Sequence, residues 1–106
     1  MTMNIKAIFK ALDNDIRLQI MGWLKEPEKH FPPQGIHLPE GMSFPGGVCV
    51  GSICDKAGIS QSTVSHYLDM LLQAGLLESQ RAGKWTYYRR NEATIQAFST
   101  YIREDL

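Results

Sequence analysis

Three kinds of side chain in this 106-residue chain could do chemistry: thiols, imidazoles, and a dense run of hydroxyls and amides. The thiols are Cys49 and Cys54, and the imidazoles are His30, His37 and His66. Thiolate and imidazole are zinc-type ligands, but Cys49 with His30 and His37 has the spacing of no compact zinc motif. Solvated loop histidines are the plainer reading, so no metal or other cofactor is expected. Two thiols five residues apart on one regular helix point about 140° away from each other. Joint coordination or a disulfide would need the start of that helix to unwind. Cys54 reads as a packing residue. Cys49, at a loop–helix junction, is the candidate reactive thiol, because a helix N-terminus lowers thiol pKa. No paired carboxylates, nucleophile–base arrangement or phosphate-cradling glycine loop is present, so an enzyme is not expected.

The hydroxyls and amides are more informative. Ser62, Ser65, His66 and Asp69 recur at i, i+3, i+4 and i+7, one face of a helix. Val64, Leu68, Leu71 and Leu72 form the opposite, buried stripe. Short polar side chains at the start of a helix can hydrogen-bond base edges or phosphates in a major groove. Gln61, Ser62, Thr63, Ser65 and His66 are therefore the candidate DNA-reading residues. Asp69 would repel phosphate and belongs away from the groove. A polar stripe alone describes any amphipathic helix with a solvated face; its surroundings distinguish this one.

Upstream, a short helix runs from about Cys49 to about Ala57, with Val50, Ile53 and Ala57 inward. Gly58 supplies a turn, and Ser60 caps the polar helix of about 61 to 74, which ends at Gly75. A small residue at Cys54, a glycine at the turn and Val64 packing back have the spacing of a helix-turn-helix. Downstream lie two strand-like runs, Leu76 to Arg81 and Lys84 to Arg90, with Ala82-Gly83 between them. Arg81 and Lys84 flank that tip, where cations can reach phosphate or the minor groove. Trp85, Tyr87 and Tyr88 read as packing residues rather than base-stacking platforms.

The remaining elements serve to hold this unit. A first helix at about 3 to 12 carries Ile5, Ile8, Phe9 and Leu12; a second, to about Lys25, carries Ile16, Ile20, Trp23 and Leu24. Asn91 can cap a last helix whose apolar stripe is Ile95, Phe98 and Ile102. Residues 26 to 48 hold all five prolines, which argues for a long inserted loop. The chain is short enough for one domain, whose thin core suits a core shared between subunits. Its formal net charge is zero. That counts against a large basic surface, although Arg81, Lys84, Arg89 and Arg90 fall within ten acid-free residues. No apolar run approaches a membrane span, and the first residues lack a signal-peptide pattern, so a cytoplasmic protein with free thiols is expected.

The phrases Ala11-Leu12-Asp13-Asn14-Asp15-Ile16-Arg17-Leu18, Ser60-Gln61-Ser62-Thr63-Val64-Ser65-His66-Tyr67-Leu68 and Ala74-Gly75-Leu76-Leu77 resemble the ArsR/SmtB family of bacterial repressors. The wing phrase Arg81-Ala82-Gly83-Lys84-Trp85-Thr86-Tyr87-Tyr88 fits as well. The resemblance covers most of the chain except the Pro/Gly segment. It implies a mainly α winged helix-turn-helix with a small β-hairpin, dimeric through its first and last helices. Ile5, Ile8, Phe9, Ile95, Phe98 and Ile102 would then form the dimer interface. The function implied is a sequence-specific DNA-binding regulator, a repressor released by an unidentified signal, with a double-stranded operator as partner. Arsenic sensors of the family carry a second cysteine where this chain has Gly51, and zinc sensors use histidines on a last helix that here has none. A thiol- or metal(loid)-responsive repressor using Cys49 is the alternative. A winged-helix protein-interaction module that does not read DNA is another, kept open by the neutral charge.

Overall fold

Short polar side chains start four of the helices. Asn4 Oδ1 accepts the Ala7 N–H at 3.0 Å, Asn14 Oδ1 the Arg17 N–H at 3.0 Å, Ser60 Oγ the Thr63 N–H at 3.3 Å and Asn91 Oδ1 the Thr94 N–H at 3.2 Å. Each satisfies a backbone donor that the first helical turn leaves free. The helices so opened are α1 (Ile5–Leu12), α2 (Asp15–Lys25), α5 (Gln61–Gln73) and α6 (Glu92–Glu104). Between α2 and α5 lie α3 (Pro27–His30), β1 (Val48–Cys49) and α4 (Val50–Ala57); β2 (Leu77–Ala82) and β3 (Trp85–Arg90) precede α6. The computed structural model describes residues 3–34, 41 and 43–106.

The ends of the helix-turn-helix elements follow from two glycines. Gly58 closes α4 with a left-handed backbone, φ +68°, and its N–H reaches Cys54 O at 3.0 Å. Gly75, φ +80°, ends α5. Its N–H bonds Leu72 O at 2.9 Å, and Leu76 N–H bonds Leu71 O at 3.0 Å. That pair of bonds, with the buried Leu71 and Leu76, is a Schellman stop.

The strands form one antiparallel sheet in the order β1-β3-β2. The sequence pattern puts Ala82-Gly83 at the hairpin tip. Instead Ala82 pairs with Trp85 and is buried, so the two-residue loop is Gly83-Lys84. Gly83 has φ +62° and Lys84 a negative φ, the pattern of a type II′ turn, whose twist suits adjoining strands. The hairpin is also joined by β1, whose Val48 and Cys49 face Tyr88 and Tyr87. Pro27, expected only to stop α2, is also the first residue of α3, where its missing N–H costs nothing.

One apolar core joins α1, α2, α4 and α5, with Ile8, Ile20, Ile53, Val64, Leu68 and Leu71 fully buried. Leu72, expected on the buried stripe, is half-buried. A smaller cluster under the sheet contains Phe44, Cys49, Ala82 and Tyr87, with Trp85 against it. One charged side chain crosses the main core. Arg17 is buried and donates from Nε to Ala11 O at 2.6 Å and from Nη2 to Lys10 O at 3.1 Å. Its guanidinium lies 5.0 Å from the Tyr67 ring centroid, and Asn14 Nδ2 donates to Tyr67 Oη at 3.4 Å.

Arg17→Ala is expected to lower unfolding free energy by about 2–3 kcal/mol in urea titrations, since it strands helix-end carbonyls and removes packing. Arg17→Lys should recover only part, because a point donor cannot reproduce the fork. A second expectation concerns Tyr87, whose buried Oη lacks a hydrogen-bond partner among the described residues. Burial, and secondarily the charge of nearby Cys49, push its phenol above 10.0. The unfolded chain therefore ionises first, so this contribution to stability is complete below about pH 10 and lost as pH rises through the raised value. Tyr87→Phe should stabilise by about 1 kcal/mol at neutral pH and make the alkaline fall shallower in thermal melts. No gain in stability would mean that the hydroxyl has found a partner.

Candidate nucleic-acid interface

The polar face of α5 survives intact in three dimensions. Gln61, Ser62, Ser65, His66 and Asp69 are exposed, while Val64, Leu68 and Leu71 face the core. The Ser60 cap fixes the start of the face and the Gly75 stop fixes its end, so side chains near the N-terminus project from a rigid base. Thr63 differs from its neighbours. It is half-buried, and its Oγ1 accepts from Ser60 Oγ at 2.8 Å, so it belongs to the cap as much as to the face. Asp69 lies near β3. Burial first, and the Asp69 carboxylate second, hold the Tyr88 phenol above its usual 10.0.

The hairpin divides its cations into two pairs with different jobs. Arg89 Nε bonds Glu78 Oε1 at 3.0 Å across the β2–β3 register, and its guanidinium lies 4.1 Å from the Phe44 ring centroid. Arg90 bonds Glu92 at 2.8 Å and reaches Met21 O at 3.4 Å. Both hold structure. Arg81 and Lys84 have no acidic partner among the described residues. Arg81 Nε donates to Gly83 O at 3.1 Å, which aligns its guanidinium with the turn, and Lys84 Nζ stands 5.9 Å from the Trp85 ring. Trp85 and Tyr88 are half-buried and Tyr87 fully buried, which leaves them as support. Lys56, exposed on α4 with Nζ 5.7 Å from the Trp23 ring, is a further cation that sequence reasoning passed over. Only its position on the helix preceding the turn could have flagged it.

The thiols and histidines do not converge. Cys49 is buried and is the N-cap residue of α4, its Sγ 3.3 Å from Ser52 Oγ. It therefore precedes the helix rather than lying on it, and the small cluster under the sheet covers it. Cys54 is half-buried, and its Sγ donates to Ile59 O at 3.4 Å. His30 ends α3; His37 lies outside the described residues. Among the described residues no three His, Cys, Asp or Glu side chains are grouped to hold a metal ion. Nor is any helix among them long and apolar enough to cross a membrane.

The expected interface residues also separate. Ile8 is fully buried inside the chain and cannot contribute to a subunit contact, a correction to the expectation from sequence. Its position faces α5 and the rest of the core, whereas its neighbour Phe9 is 43% exposed. Phe9 meets Phe98 edge-on at 5.5 Å, and Ile102 is also 43% exposed. Ile5, Ile95 and Phe98 are half-buried. Together α1 and α6 carry an apolar surface that includes Phe9 and Ile102.

Comparison with known proteins agrees with this fold. Residues 46–79 match the family model described as bacterial regulatory protein, arsR family. The chain is 46% identical over 100 residues to the HTH-type transcriptional regulator YbzH of Bacillus subtilis (strain 168), covering 93% of this chain and 95% of the relative. Among solved structures, an ArsR family transcriptional regulator superposes with a TM-score of 0.70 at 14% identity, covering 94% of this chain and 84% of that one. A homodimeric winged helix-turn-helix DNA-binding domain from Mycobacterium bovis superposes with a TM-score of 0.64 at 27% identity, over 93% and 75% of the two chains.

Proposed function

This chain belongs to the ArsR family of bacterial regulatory proteins, and on that premise we propose that it is a homodimeric repressor that reads a palindromic operator with α5 and grips the backbone with the β2–β3 wing. The family consists of winged helix-turn-helix transcriptional regulators rather than enzymes. The observation that carries the reading is the pairing of two surfaces. The exposed face of Gln61, Ser62, Ser65 and His66 stands on a helix capped at both ends, and Arg81 and Lys84 stand at a two-residue turn without acidic partners among the described residues.

The roles follow from chemistry. Amide and hydroxyl groups of Gln61, Ser62 and Ser65 can both donate and accept, which suits base edges. His66 adds a donor or acceptor one turn further on. Thr63, tied to Ser60, orients the first turn and offers its hydroxyl hydrogen to a phosphate. Arg81 and Lys84 supply charge to the backbone, which positions the protein without specifying sequence. In a homodimer, the apolar surface around Phe9 and Ile102 would be covered by its copy, and two α5 helices would face half-sites related by a two-fold axis. The repressor works wherever the chromosome is, which in a bacterium is the cytoplasm.

Selection from random duplexes by the purified protein should enrich an inverted repeat; no enriched sequence would favour a protein-interaction module instead. On the selected duplex, Arg81→Ala with Lys84→Ala should weaken binding across sequences. The slope of log affinity against log salt should fall by about 0.9 for each phosphate that is no longer neutralised. An unchanged slope would remove the wing from the interface. Phe9→Glu with Ile102→Glu should shift sedimentation from dimer toward monomer and reduce operator affinity, while far-UV circular dichroism stays unchanged. A dimer that persists would place the subunit contact elsewhere.

A further inference from the structure

The inserted segment does more than connect α3 to β1. Its described ends, Phe31–Gln34 and Ser43–Gly47, line an open cleft of about 520 Å³ beside α3, within the range that holds small molecules. The lining is chiefly aromatic and prolyl, with Phe31, Pro33 and Phe44 among its walls. Glu28 is the one charged residue among the described lining residues, and it has no ion-pair partner among the described residues. The Phe44 ring already carries the Arg89 guanidinium at 4.1 Å, so the Phe31 ring and the Glu28 carboxylate are the described groups left to attract a cation carrying an apolar body.

Two walls of the cleft are fixed to the DNA-reading unit. Phe44 lies directly on Gly47, where any Cβ would overlap its ring, and Arg89 of β3 stacks on it at 4.1 Å. The second connection is Gln34. Its Oε1 accepts the Cys49 N–H at 3.0 Å, and its Nε2 donates to Ser52 Oγ at 3.2 Å and Pro32 O at 2.7 Å. Cys49 gives α4 no side-chain cap of its own. In a capping box, a Gln or Glu at the third helical position reaches back to the N-cap N–H. Here that position is Ser52, too short for the task, and Gln34 performs it from the insert. One side chain thus lines the cleft and holds the start of the first helix of the helix-turn-helix.

We propose that this cleft binds a small aromatic ammonium compound, and that its occupancy is transmitted to α4 through Gln34. A ligand seated between Phe31 and Phe44 competes for the space beside Gln34, loosens its hold on Cys49 and Ser52, and frees the start of α4 to shift. The transmission half rests on the DNA-reading role of α4 and α5; the binding half does not.

The two halves are tested separately. Dansylcadaverine, a fluorescent aromatic amine, should bind the full chain saturably, and anilinonaphthalene sulfonate, its anionic counterpart, more weakly. Glu28→Gln should weaken dansylcadaverine about three- to fivefold, the scale of an exposed ion pair. Absence of saturable binding, or equal binding of both dyes unaffected by Glu28→Gln, would overturn the site. Operator affinity of the unmodified protein is first measured without dye, so a chain that reads no DNA is recognised independently. Dansylcadaverine should then lower operator affinity about fivefold or more. Gln34→Ala should keep the dye affinity and lose that response. Should Gln34→Ala fail to fold, Ser52→Ala removes one of the same contacts and should blunt the response. A response undiminished in the folded variant would overturn transmission through Gln34 and indicate direct competition of dye with DNA.

Discussion

The burial of Arg17 constrains the arrangement of every helix around it. A guanidinium in a core needs its donors satisfied on all sides, and among the described residues no carboxylate reaches this one. It is held by the last carbonyls of α1 and by the face of Tyr67 on α5. Helix-end carbonyls carry the negative end of the helix dipole, so the charge is matched where the dipole is strongest. The geometry admits little variation. α2 supplies the cation, α1 must end where its carbonyls meet it, and α5 must lie with Tyr67 across it. Once α5 is set in this way, its rotation is set too. Val64, Leu68 and Leu71 turn inward, and the Gln61–His66 face turns out.

Around that constraint, local signals delimit the elements, and packing assigns faces. The N-caps at Asn14 and Ser60 define where α2 and α5 begin, and left-handed glycines at 58 and 75 define where α4 and α5 end. These features are each modest in energy, typically about 1 kcal/mol for a cap. Their value lies in register, since a helix started one residue late would rotate its polar face by about 100°. The hairpin tip works in the same way. A two-residue turn fixes which residues of β2 and β3 oppose each other, and so which cations find acids.

Much of this was legible because the signals are local. Caps, glycine stops, apolar stripes and the polar face of α5 all depend on residues within a turn or two. What escaped depends on partners far along the chain. Arg17 reads as an ordinary helical cation until Ala11 and Tyr67 are seen around it. Arg89 and Arg90 look as available as Arg81 and Lys84, and only strand register and the start of α6 give them Glu78 and Glu92. Ile8 and Phe9 share one stripe, and the direction of packing alone separates a core residue from a surface one. The strand at Val48–Cys49 is too short to carry an alternating pattern and exists because Tyr87 and Tyr88 are opposite it. Gln34 gives no sign of its role, since the helix it holds starts some fifteen residues later.

The sheet order has a consequence for how copies of this protein can stick together. A sheet ends in strands with unpaired backbone groups, and such edges can recruit further strands and seed aggregation. Here both edges are poor templates. β1 offers only two residues, and its outward donor at Cys49 is already taken by the Gln34 amide. β2 is longer, but Glu78 and Arg81 place opposite charges along it, so an identical strand laid beside it meets a strict demand on alignment. Edge-to-edge growth is therefore discouraged on both sides, and the proposed pairing of copies through the apolar helices α1 and α6 meets little competition from the sheet, so a closed pair is favoured over an open chain.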